Sequence, residues 1–177
     1  MLMNNLLRFL LLYLLSHSAY AVDVTINLNG GILAQSCNVS SQDLTKNINF
    51  PDFNPRDFGQ AGATSAEQPV SIFLDKCTGN VDNISYQFSG EADVTDSTLL
   101  KVTGKGRTPE DILATGLAIE ILDKNKQKIA LNAIQPLNEI ISSATYTLNF
   151  YLRYKSTSNK IGSGDASSIV YLDIYYE

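Results

Sequence analysis

The sequence predicts an all-β chain folded as two antiparallel sheets packed face to face, and three observations carry that expectation. Apolar side chains recur at every second position in run after run, the signature of a strand with one buried face. No apolar stripe of helical period and helix length occurs anywhere. The runs are short and separated by clusters of Gly, Pro, Asn, Asp and Ser, as in sandwiches and not as in alternating strand–helix units.

Taken in order, the first run is Val24, Ile26, Leu28 and Ile32, with Gly30 as the single gap on that face and Thr25, Asn27, Asn29 and Gly31 on the other. A short strand follows around Cys37 to Val39, and Ser40 to Asn47 is polar enough for a loop. Ile48 to Phe50 reads as a short edge strand before Pro51, and the Pro-, Gly- and Ser-rich stretch to Pro69 as irregular connection. Val70, Ile72 and Leu74 then alternate into Cys77, with a turn at Thr78-Gly79-Asn80. Ile84, Tyr86 and Phe88 alternate up to Gly90, and Leu99, Leu100 and Val102 make a shorter strand. Thr103 to Pro109 carries two Gly, one Pro and two basic side chains and reads as an exposed loop, not a phosphate loop, since Gly104-Lys105-Gly106-Arg107-Thr108 lacks the required spacing and a following helix. Leu117, Ile119 and Ile121 alternate, Asp123 to Lys128 turns the chain, and Ile129 to Leu131 returns. Glu139 to Ser143 fits either a loop or a brief strand. The two strongest patterns come last: Tyr146, Leu148, Phe150, Leu152 and Tyr154, then Val170, Leu172, Ile174 and Tyr176, with Glu177 beyond.

About seven body strands of this length make a sandwich of the immunoglobulin sort. The body begins near Cys37 and leaves the Val24 to Ile32 run outside it. That run is either an ordinary first strand or a detached one. A strand that reaches Tyr176 with no successor points to a sandwich without a closing strand.

Residues 1–21 have the layout of a cleavable export signal: Arg8, an apolar stretch from Phe9 to Leu15, then polar residues ending Ala19-Tyr20-Ala21. The apolar core is too short for a spanning helix, which needs about 20 residues, so no membrane insertion of the mature chain is expected. Val22 to Glu177 then holds all 18 acidic residues but only 12 of the 13 basic ones, a formal charge of −6 that argues against nucleic acid, whose phosphates need clustered Lys and Arg. The one His lies in the signal, so imidazole-dependent catalysis is excluded, and the loop-borne Asp52, Asp57, Asp93 and Asp96 read as solvated surface. No enzyme activity and no cofactor are expected. In an oxidising compartment Cys37 and Cys77 read by default as one disulfide. Two free thiols or a metal pair are the alternatives, the latter short of ligands.

Several features together resemble the fimbrial subunits of the chaperone-usher pathway of Gram-negative bacteria, type 1-like ones in particular. They are Gly30 seven positions before Cys37, Ile72-Phe73-Leu74-Asp75-Lys76-Cys77, Phe88-Ser89-Gly90, Leu99-Leu100, the run Gly116 to Asp123, Ile129-Ala130-Leu131, Leu148-Asn149-Phe150 and the penultimate Tyr176. The resemblance spans essentially the whole of residues 22–177. It implies an incomplete immunoglobulin-like β-sandwich lacking its C-terminal strand, completed by donor-strand complementation. On that basis residues 22–35 are the donor extension and 36–177 the pilin domain. Val24, Ile26, Leu28, Gly30 and Ile32 are the donor positions, and Val170, Leu172, Ile174 and Tyr176 lie in the acceptor groove. Glu177, where the family often has Gln, is the position held by the chaperone. The implied partners are a periplasmic chaperone, an outer-membrane usher and neighbouring pilin subunits. The implied location is the cell-surface fimbrium, reached through the periplasm, with a role in cell adhesion. The competing reading is a self-contained secreted β-sandwich module that binds a sugar or protein and folds the Val24 to Ile32 run into its own sheet.

Overall fold

The computed structural model describes residues 36–82, 84–104 and 112–176. The expected signal, the donor positions Val24, Ile26, Leu28, Gly30 and Ile32, the tip of the basic loop, and Glu177 lie outside the described residues.

Nine strands are described: β1 (Ser36–Val39), β2 (Gln68–Thr78), β3 (Ile84–Ser89), β4 (Leu100–Lys101), β5 (Leu117–Leu122), β6 (Lys128–Ile129), β7 (Gln135–Pro136), β8 (Tyr146–Ser156) and β9 (Tyr171–Tyr176). One sheet runs β1-β2-β8-β5-β4 with β6 also on β5, and the other runs β7-β3-β9. Every pairing between these strands is antiparallel. The core is the layer between the sheets. Phe88 and Tyr86 of β3 meet Phe150 of β8 edge-to-face, with ring centroids 4.9 Å and 5.4 Å apart, a geometry that aromatic quadrupoles favour.

The alternation seen in the sequence becomes alternation of burial. In β2, Val70, Ile72 and Leu74 are buried while Pro69, Ser71 and Phe73 are exposed. Pro69 is tolerated because β1 pairs only with the far end of β2, leaving the edge beside Pro69 unpaired on that side. The even phase of β2 switches to odd before Cys77, and a β-bulge is the reason. Ser36 faces Thr78 but Asn38 faces Asp75, so one residue of β1 opposes two of β2. Lys76 takes up the extra residue at φ 50°. The switch turns Cys77 toward Cys37, and the two form a disulfide. Closing a loop of separation 40 contributes about 4 kcal/mol in the loop-entropy picture.

Two features depart from the sequence expectation, at Ile48 to Phe50 and at β5, and one alternative left open, at Glu139 to Ser143, is decided. Ile48 to Phe50 forms no strand: the segment finds no partner ladder, and Phe50 packs its ring 4.6 Å from that of Tyr154 instead. Glu139 to Ser143 contributes only a single bridge, Ile141 to Val81, while the pairing with β3 comes earlier, through β7. β5 is buried on both faces. Ala118, Glu120 and Leu122 point away from the inter-sheet core yet are as inaccessible as Ile119 and Ile121. A central place between β4, β6 and β8 and a cover of long side chains from β8 account for it. Glu120 is only 2% exposed there and is neutralised by Arg153 at 2.6 Å and Lys155 at 2.7 Å, with Arg153 reaching on to Glu67 at 3.3 Å.

Four carboxylates are held below their ordinary range. Asp96 falls to about 2 through hydrogen bonds from Thr98, with Lys128 adding to the effect. Asp43 is lowered by Lys46 and the Phe73 amide, and Glu139 by Lys124 and Tyr146. Burial alone would raise Glu120, but Lys155 and Arg153 together outweigh it. A carboxylate whose folded pKa lies below its unfolded value adds stability that is complete above the unfolded value and lost as pH falls through the folded one. The unfolded values are 3.8 for Asp and 4.5 for Glu. The melting temperature of the full chain is therefore expected to be flat from neutral pH to about 5 and to fall steadily from about 4.5 toward 2. A melting temperature unchanged down to pH 2 would contradict these assignments.

Candidate functional site

Both sheets end on an unpaired strand at the same side of the sandwich. Among the described residues β9 pairs only with β3 and β1 only with β2. The two free edges meet where the Tyr176 ring reaches the backbone of Cys37. Burial raises the Tyr176 phenol above its ordinary value, and the Cys37 backbone partly offsets that shift. No described group meets hydrogen-bond geometry with the buried Tyr176 hydroxyl. A buried, unsatisfied polar atom is uncommon in a finished core. Here it sits at the seam between the two edges.

At the other end the seam is floored by Tyr154 of β8. Its ring touches Phe50 and Phe53, with centroids 4.6 Å and 5.8 Å away, and its hydroxyl donates to the Ala166 carbonyl at 2.8 Å. Residues 37–53 and 166–176 thus form two walls running in opposite directions.

The four β9-side residues singled out from the sequence, Val170, Leu172, Ile174 and Tyr176, all lie on the inner wall, Val170 just ahead of the strand. Each is only half-buried, whereas the inward residues of β3 that pair with β9, Ile84, Tyr86 and Phe88, are fully buried. The contrast follows from position: β3 has β7 and β9 on its flanks, while β9 has nothing on its outer flank among the described residues. On the opposite wall Val39, Ile48, Phe50 and Phe53 are half-buried in the same way. The sandwich is an incomplete immunoglobulin-like fold, open along β9, where no closing strand occurs among the described residues.

The residues singled out from the sequence lie on one side of this seam, and none was singled out on the other. Phe50 and Phe53 lie in a stretch whose Pro and Gly content marks irregular connection. The signal available was four large apolar residues, Ile48, Phe50, Phe53 and Phe58, concentrated in a segment otherwise polar. For metal chemistry, no group of three His, Cys, Asp or Glu among the described residues is arranged to hold an ion.

Comparison with known proteins places this architecture. The fimbrial protein family matches residues 26–177. The chain is 36% identical over 155 residues to the uncharacterized fimbrial-like protein YcbU of Escherichia coli K12, covering 87% of this chain and 84% of that one. It is 30% identical over 155 residues to the fimbrial subunit type 1 of Salmonella typhimurium, covering 86% and 82%. Among solved structures, a chain of a chaperone-usher pilus superimposes with a TM-score of 0.61 at 16% identity, covering 92% of this chain and all of that one. The P pilus rod subunit PapA does so with a TM-score of 0.59 at 15% identity, covering 80% and 99%. At such identities the structures speak to the fold, and the sequence matches speak to kinship. The chain belongs to the fimbrial protein family, as a structural subunit.

Proposed function

We propose that this chain polymerises by strand exchange. Its residues 22–35 enter the groove of one neighbour, and its own groove receives the same segment of another. The observation that carries the reading is the half-buried inner face of β9 beside an unpaired edge, matched in chemistry by a run with apolar residues at alternate positions. Extended at about 3.3 Å per residue, Val24 to Ile32 spans roughly 27 Å. Val170 to Tyr176 spans roughly 20 Å by the same measure, and the approach from Ala166 supplies the remaining length. Val24, Ile26, Leu28 and Ile32 each bring about 1.5–3 kcal/mol of apolar burial before ordering costs. The strand backbone would satisfy the open edge of β9 and could reach the Tyr176 hydroxyl.

On this reading residues 1–21 are removed on export, and a periplasmic chaperone covers the groove first, with the carboxylate of Glu177 held by basic residues. An outer-membrane usher then presides over the exchange. The product is part of an adhesive fimbrium on the surface of a Gram-negative cell. Open grooves are aggregation-prone, since they expose apolar surface and unpaired backbone, which is the physical reason a chaperone is needed.

A charge placed on the groove wall tests the proposal. Ile174→Asp would bury a carboxylate without a partner at the centre of the seam. It is expected to abolish uptake of a donor strand while leaving residues 22–35 able to enter wild-type grooves. In mixtures the variant therefore ends fibres without extending them, and fibre length measured by electron microscopy falls as its fraction rises. Fibres of unchanged length at equal mixing would refute the groove assignment.

A further inference from the structure

Away from the groove, an open cleft of about 510 Å³ lies where the β5–β6 turn and the β7–β8 connection face the first half of β8. Such a volume suits a small ligand. Its base carries a feature that the core does not explain. Tyr86 is 6% exposed, wedged edge-to-face against Phe88 and Phe150, and its hydroxyl has no hydrogen-bond partner among the described residues. The ring is packed as core, and the polar tip is left for the cleft. Burial, and then the charge of Asp123, push its phenol up, which keeps it protonated and able to donate.

The two carboxylates beside it are fixed before any ligand arrives. Asp123 accepts the Asn125 and Gln127 amides through Oδ1, each at 2.8 Å, and no described group bonds its Oδ2. Glu139 is saturated by Lys124 and the Tyr146 hydroxyl, so that pair closes one side as a neutral unit. The side-chain amide of Asn125 is unpaired among the described residues, and Asn138, held at φ 55°, makes only a 3.5 Å contact to the Pro136 carbonyl. The cleft thus offers a fixed acceptor, a fixed donor and two amides that can act as either, beside the ring of Tyr146.

We propose that this cleft binds a neutral saccharide unit through Tyr86, Asp123, Asn125 and Asn138. Sugar hydroxyls donate and accept at once, which is what a lone carboxylate oxygen, a phenol and two amides require of a partner. The uncompensated charge of Asp123 disfavours sialic and uronic acids. The exposed lining is more polar than apolar, which disfavours an apolar peptide side chain. This inference does not rest on strand exchange, because the cleft lies outside the groove walls.

The test uses the full chain as purified from expressing cells, with saturation-transfer NMR against galactose, N-acetylglucosamine and N-acetylneuraminic acid. Binding of at least one neutral sugar is expected at concentrations on the order of ten millimolar or below, with the anionic sugar weaker. Tyr86→Phe removes one oxygen and keeps the packing. It is expected to weaken binding roughly fivefold to tenfold at an unchanged melting temperature, and Asp123→Asn should narrow the gap between neutral and anionic sugars. No transfer to either neutral sugar would overturn the proposal and leave the Tyr86 hydroxyl to an ordered water. So would equal binding by Tyr86→Phe, or binding of N-acetylneuraminic acid as tight as that of the neutral sugars.

Discussion

Gly30→Phe is expected to abolish fibre formation while leaving the variant's own body folded. Glycine inside a strand costs conformational entropy and packs nothing, so its presence on the apolar face of the Val24 to Ile32 run calls for a reason. On the strand-exchange reading, that reason is a shallow point in the receiving groove. A phenyl ring there must displace packed side chains, at about 1–3 kcal/mol or more. It would also hold the strand off β9, so that ladder hydrogen bonds worth about 0.5–1.5 kcal/mol each fail together with it. The body 36–177 is untouched, so its melting temperature when filled by a wild-type donor should not change. Gly31 supplies the control. Strand alternation turns it to the opposite face, and Gly31→Phe should permit assembly. Fibre yield by electron microscopy, compared across the two variants, decides the matter. Equal impairment by both would point to Gly30-Gly31 acting as a turn, and normal fibres from Gly30→Phe would remove the donor assignment.

How much of this was legible in the sequence depends on how each element reports its surroundings. β2, β3, β8 and β9 were readable because each has one buried face, and period two records that directly. β5 was readable as a strand, but Glu120 was not readable as a buried residue. Its burial comes from Arg153 and Lys155, which are 33 and 35 positions away in the chain. β7 consists of Gln135 and Pro136, and two residues carry no period. Ile48 to Phe50 has the composition of a strand but no partner, and pairing is not a local property. The same limit applies to the site. One groove wall is the last strand, announced by its alternation. The other is an irregular segment whose Phe50 and Phe53 acquire meaning only through Tyr154. Tyr86 shows the limit most plainly, since its place in the strand pattern marks it as core and the pattern says nothing of where its hydroxyl ends.

The sandwich is open along β9 among the described residues, and on the proposed strand exchange residues 22–35 of a neighbouring copy close it. The direct test is the thermal unfolding of a body spanning residues 36–177, with and without a synthetic peptide copying residues 22–35. A body with an empty groove leaves the inner face of β9 and the Tyr176 hydroxyl unsatisfied, and is expected to aggregate or melt at low temperature. Peptide binding to the folded state alone stabilises it by about 2.7 kcal/mol at a hundredfold excess over Kd. For a domain of this size that raises the melting temperature by roughly 5–10 °C, and the complex should contain one peptide per body. A body that melts cooperatively at the same temperature with and without peptide would show that the sandwich is already closed and contradict the account.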